Sequence, residues 1–243
     1  MIAAYGSQQA LITIIIPTMW RASLQTQHFI RSLSASELQF ELIVINNSPE
    51  KTPDWFKPLV AEGTVSLEIK CNNIFVNPAW NLGVQSAKTE FVALVNDDIS
   101  FNPHGLYVAC EHLRRFGGVV GLDTEGFQTA PNTPCITRNT DLKGGWATMM
   151  LFHRTAFRPI PEDIKIWCGD LIILKTLRPA WSVMLQDLVG EMNATASDAG
   201  FNEQKKRDGA LYAEWLKRNR LKIAFIKAKS MVQSIRHPAP RPR

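Results

Sequence analysis

The stretch Phe91-Val92-Ala93-Leu94-Val95-Asn96-Asp97-Asp98 decides the fold. Five apolar residues read as a short buried strand, and two adjacent carboxylates follow it. Charge at the end of a buried strand needs a partner, usually a cation. In open α/β sheets, ligands bind outside the carboxyl ends of the strands. A hard divalent ion held by one or two carboxylates and by substrate phosphates fits that address. A helix cap is the competing use, but capping needs one such side chain and two are present.

Outward from this stretch, β-branched runs recur at Leu11–Ile16, Glu41–Ile45, Thr64–Ile69 and Gly118–Gly121, with helical text between them. The alternation predicts βαβ units and a mostly parallel sheet flanked by helices. Asn77-Pro78 offers an N-cap with proline at the first helical position, and Ala79–Ala87 continues that helix. Asn102-Pro103 repeats the device before Gly105–Arg115, and Gly117-Gly118 ends it. From Leu122 to Lys143, proline, threonine, asparagine and glycine predict a long loop. Strands are expected at Trp146–Phe152 and Trp181–Leu185, and helices at Asp170–Leu177 and from Glu203 to about Lys229. The proline-rich tail from His237 cannot continue a helix. The organisation expected is a nucleotide-binding half over 1–120 and an acceptor half over 121–243, within one compact domain.

The chain of 243 residues is 45% hydrophobic and 20% charged, which excludes disordered and collagenous classes. No apolar run approaches the roughly 20 residues of a membrane span. The four cysteines are scattered without a CxxC pair, so neither a zinc site nor a disulfide framework is indicated, and a reducing cytoplasm is the simplest compartment. The net charge of +5 is concentrated after Lys205, where Asp208 and Glu214 are the only acids. That basic end implies an anionic partner: a nucleic acid, a lipid surface or a phosphorylated substrate. A solvated helix face is the plain alternative.

Taken in order, Thr13-Ile14-Ile15-Ile16-Pro17-Thr18, Glu41-Leu42-Ile43-Val44-Ile45-Asn46-Asn47-Ser48, Asn77-Pro78-Ala79-Trp80-Asn81-Leu82-Gly83 and Asn96-Asp97-Asp98 resemble a GT-A-fold glycosyltransferase of the family 2 type. The likeness covers about residues 11–175. It implies a nucleotide-sugar donor, with UDP-sugars foremost, and a Mn²⁺ or Mg²⁺ cofactor. It assigns base and ribose to Pro17, Thr18 and Asn46, with Arg21, Asn47, Asn77, Asn81, Asn96 and Asp97 also on the donor side. Asn46 stands where the family usually has Asp, and Trp80 where Arg is usual. Asp98 maps to the metal position of the DxD-type motif, with Asn96 in its first place. Gly144-Gly145-Trp146 resembles the segment lining the donor sugar, so Gly145 and Trp146 join the donor set; a strand-entry turn with a core Trp is the competing reading. A further metal ligand is expected after the last strand, where Glu191 and Asn193 supply oxygen and no His is present.

The family's catalytic carboxylate lies in an "ED" dipeptide at the start of a helix. Asp163 carries the literal Glu-Asp pair. Asp170 opens the apolar run Leu171–Leu174 and is favoured, because a base must be held within hydrogen-bond reach of its substrate. The implied reaction is transfer, with inversion, to a hydroxyl of a glycan or a lipid-linked saccharide. Hydroxylated DNA bases are the alternative acceptor, and a non-catalytic nucleic-acid-binding protein is the alternative class. No membrane span is expected, so contact with the inner membrane would be peripheral.

Overall fold

A computed structural model describes residues 12–123, 133–139, 146–190 and 199–236. In chain order the elements are β1 (Ile12–Thr18), α1 (Ser23–Ser34), β2 (Phe40–Asn46), α2 (Phe56–Ala61), β3 (Leu67–Lys70), α3 (Val76–Ser86), β4 (Phe91–Val95) and β5 (Ile99–Ser100). There follow α4 (His104–Phe116), β6 (Val119–Leu122), β7 (Cys135–Arg138), β8 (Met149–His153), α5 (Gly169–Thr176), β9 (Ala180–Met184), β10 (Val189–Gly190) and α6 (Asn202–Arg236).

The main sheet runs β3-β2-β1-β4-β8-β6-β9-β7. Strands β3, β2, β1 and β4 are mutually parallel, as the βαβ alternation predicts. The late strand β8 is inserted antiparallel between β4 and β6. Successive residues of the central strands point to opposite faces. Ile12, Ile14 and Ile16 of β1 and Phe91, Ala93 and Val95 of β4 meet α1 and α4 on one face. Ile15 of β1 and Val92 and Leu94 of β4 meet α3 and α5 on the other, with Tyr212 and Trp215 of α6 packed behind. Both faces are thus covered, which is why these strands read as continuous apolar runs. Gly83 permits a close approach: a methyl group there would overlap Ile15, so α3 sits directly on β1.

Five local expectations are corrected. Asn77 is not a cap: α3 begins at Val76 after Phe75, whose φ of 67° turns the chain into the helix. The loop predicted from Leu122 to Lys143 contains β7 at the sheet edge, paired with β9. The strand expected from Trp146 starts at Met149, because Trp146–Thr148 form a 3₁₀ turn. Of the run Thr64–Ile69 only its end is strand, as Leu67–Lys70. The basic helix is longer than expected at both ends, over 35 residues.

Candidate functional site

The parallel strands end at one edge, and there the first predicted group assembles. The Thr18 hydroxyl at the end of β1 donates to Oδ2 of Asp97 just past β4, at 2.5 Å. The Thr18 oxygen accepts from the backbone N–H of Trp20 at 2.8 Å. The Thr26 hydroxyl on α1 donates to the carbonyl of Asp97 at 2.9 Å. Burial pushes the Asp97 carboxyl above its ordinary range, against the Thr18 hydroxyl, the Met19 N–H and the charge of Arg21. The Asn96 N–H donates to the Thr148 carbonyl at 2.9 Å, which ties the motif to the 3₁₀ turn before β8. Asp98 is half-buried, and the next residue, Ile99, pairs antiparallel with Gly190. That small two-stranded ribbon brings the chain after β9 back to the motif. Pro17 is buried within β1, and Arg21 is exposed beyond it. Gly145 and Glu191 lie outside the described residues.

The donor set suits a hard divalent cation, since its oxygens are carboxylate. Among the described residues no group of three His, Cys, Asp or Glu side chains gathers.

Several other expected donor residues are committed inside the protein. Asn46 is 0% exposed. Its Oδ1 accepts from the Trp20 indole at 2.9 Å and from the Ser48 N–H at 3.2 Å. Its Nδ2 donates to Thr52 Oγ1 and Glu68 Oε1, both at 2.8 Å. All four bonding positions of the amide are filled, so no edge is left to read a base in this arrangement. Asn47 binds the chain at 73–74, accepting from the Ile74 N–H on its Oδ1 and from the Asn73 N–H on its carbonyl. Asn81 clamps Ile160 through both its amide atoms, at 2.8 and 2.9 Å. Asn77 donates to the carbonyls of Ile164 and Trp167. Trp146 is a core residue, as its competing reading had it: the indole donates to the Trp181 carbonyl at 3.2 Å and its ring packs where a Cβ on Gly121 would lie.

The second carboxylate group stands at the head of α5. Cys168 takes a left-handed φ of 67° and turns the chain into α5, so Asp170 falls in the first turn of that helix. Gly169 is needed at this corner because a side chain would overlap the Asn77 amide. Burial pushes the Asp170 carboxyl up, while the N–H groups of Leu171 and Asp170 itself pull it down. Its neighbours register the buried charge. The Cys168 thiol is pushed to about 11, first by burial and then by Asp170 and Asp208. The Tyr212 phenol is raised by burial, Cys168 and Asp170. Asp163 is exposed in a turn. Of the two candidates, only Asp170 occupies the half-buried, helix-mounted setting that raises a carboxylate toward the working range of a base.

One acid went unrecognised in the sequence. Asp208 on α6 is 0% exposed. It accepts the consecutive N–H groups of Lys165, Ile166 and Trp167 at 3.0, 2.9 and 3.0 Å, and the Gln204 amide at 2.7 Å. It therefore fixes the segment that leads into Asp170. The available signal was an acid directly after Lys205-Lys206-Arg207, with a glutamine four residues before it. Trp167, oriented by this tie, meets Phe201 edge-on at 6.1 Å. Arg21 lies over the Phe201 ring at 5.9 Å and Lys205 over Trp167 at 6.0 Å. A line of aromatic rings and cations thus joins the Asp97 side to the Asp170 side.

The fold has solved counterparts. The 1–349 portion of S. aureus TarS superposes with a TM-score of 0.53 at 16% identity, covering 72% of this chain and 58% of that one. Its complex with UDP-GlcNAc superposes with a TM-score of 0.51 at 14% identity, covering 77% of this chain and 61% of that one. The mannosyltransferase PcManGT from Pyrobaculum calidifontis, in complex with GDP-Man and Mn²⁺, gives 0.54 at 15% identity, covering 74% and 56%. The chain spans about six tenths of the length of these neighbours, and at such identities the likeness concerns the fold. No curated protein sequence matches it. Residues 13–161, more than half of the chain, match the family described as glycosyl transferase family 2, and the chain is a member of that family.

Proposed function

We propose that this protein is a glycosyltransferase that moves a sugar from a UDP-sugar to a hydroxyl of a glycan or a lipid-linked saccharide, with inversion and with a divalent metal. The observation that carries the reading is a pair of carboxylate stations linked by ring contacts, Arg21 over Phe201 and Phe201 against Trp167. Asp97-Asp98 stands at the carboxyl edge of the parallel strands, and Asp170 at the head of α5. TarS has been crystallised with UDP and with UDP-GlcNAc, and PcManGT with GDP-Man and Mn²⁺, which supports a nucleoside-diphosphate donor.

In this reading Thr18, Arg21 and Asp97 orient the donor, and Arg21 faces its phosphates. Asp98 holds Mn²⁺ or Mg²⁺, with Glu191, the residue after β10, as a further ligand. Bound there, the cation neutralises the charge that develops on the departing diphosphate. Asp170 accepts the proton of the acceptor hydroxyl as that oxygen bonds to the anomeric carbon and the bond to the diphosphate oxygen breaks. One base and a single displacement give inversion. Incubating the protein with Mn²⁺ and a panel of UDP- and GDP-sugars tests the proposal. Release of free sugar and UDP from one donor is expected, and turnover of GDP-sugars alone would refute the choice of base.

A further inference from the structure

We propose that the outer face of α6, from Lys217 to Lys229, is a docking surface for an anionic lipid interface, lying in the plane of the headgroups. At 100° per residue, Leu221, Ala224, Phe225 and Ala228 fall on one stripe of the helix. All four are exposed, and the two large ones strongly so: Leu221 is 85% and Phe225 70% exposed. Lys217 falls within the stripe at its N-terminal end, and cations line both margins, with Arg218, Lys229 and, at the edge of the groove below, Lys222 on one side and Arg220 and Lys227 on the other. The opposite face is occupied by the protein. Tyr212 and Trp215 pack on the core, and Trp215, Ile223 and Ile226 line a groove against Pro159 and Ile172.

The occupant follows from charge and apolarity together. Between Gly209 and Ser230 the only acid is Glu214, which already pairs with Arg218 at 3.1 Å. A second copy of this face would set cations against cations. A nucleic-acid backbone would satisfy the cations but leave Leu221 and Phe225 in water. A headgroup layer takes both, since apolar side chains enter the acyl boundary while the flanking Lys and Arg meet the lipid phosphates. The same helix carries Asp208, so docking would bring the Asp170 station to the membrane surface. That consequence rests on the sugar-transfer reading, whereas lipid binding itself does not.

The test is co-sedimentation of the full chain with vesicles of phosphatidylglycerol and phosphatidylcholine, and with vesicles of phosphatidylcholine alone. Binding to the anionic vesicles is expected, weakening as salt is raised. The double substitution Leu221→Gln, Phe225→Gln should lower it at least tenfold with the circular dichroism and any donor turnover unchanged. Lys222→Glu with Lys229→Glu should lower it comparably. Equal binding to both vesicle types, undiminished binding by the apolar variant, tighter salt-sensitive retention on duplex DNA, or a dimer lost on the apolar substitution would each overturn the proposal. No donor takes part in the measurement, so failure here is distinguishable from failure of sugar transfer.

Discussion

In the sugar-transfer reading Asp170 and Asp98 divide the work, and each makes its own prediction. Replacing Asp170 with Asn is expected to lower kcat by about 10²–10⁴-fold, the usual contribution of a general base, while donor KM changes little. The same change at exposed Asp163 should leave kcat near wild type; the reverse pattern would move the base to Asp163. Because burial holds the Asp170 pKa above 3.8, kcat should fall as pH drops through a value higher than that of an ordinary aspartate. The same displacement has a stability consequence of defined sign. The charged form is disfavoured in the folded state, so the cost is absent below the unfolded pKa and complete above the folded one. Asp170→Asn should accordingly raise the midpoint of thermal unfolding at neutral pH and leave it unchanged at pH 3. At the other station, Asp98→Ala should abolish the Mn²⁺ dependence of donor turnover, measured by titrating the metal.

At the level of elements, α6 controls a segment it is distant from in sequence. Asp208 satisfies three consecutive backbone N–H groups that would otherwise be buried without acceptors. Leaving such a donor unpaired costs about 1–3 kcal/mol. Asp208→Ala should show that loss in chemical denaturation. Asp208→Asn, which keeps an acceptor oxygen, should lose less. In both variants kcat should fall more than donor KM rises, because residues 165–167 lead to Asp170 and not to the Asp97 station. An unaltered kcat in a folded Asp208→Asn would show that the tie is structural alone. Asn77 and Asn81 act at the same scale. Their spacing on α3 was visible, but their partners at 160–167 were not.

Across the whole molecule, no group of three His, Cys, Asp or Glu side chains gathers among the described residues. Metal and donor should then bind as a pair. Mn²⁺ with UDP at about a hundred times their joint dissociation constant should raise the unfolding midpoint by about 5–10 °C, and either alone by much less. Scanning calorimetry checks this, and a full shift with Mn²⁺ alone would reveal a complete protein site.

The parallel core was legible because strands buried on both faces must be apolar throughout: Ile12–Ile16, Leu42–Ile45 and Phe91–Val95 announce themselves locally. Asp97-Asp98 was legible because charge beside such a run is costly without a ligand. The antiparallel insertion of β8 and the edge strand β7 were not, since pairing partners are set by contacts between distant segments. Asn46 shows the limit most sharply. Its place in a motif suggested a ligand, but whether its amide faces a ligand or Trp20, Ser48, Thr52 and Glu68 depends on four side chains and backbone groups that only the packed structure brings within reach. Sequence by itself determined the strand ends and the acids placed there, through local hydrophobic patterning. Tertiary structure decided which polar groups are already bonded and which remain for chemistry, because hydrogen-bond satisfaction is a property of neighbours in space.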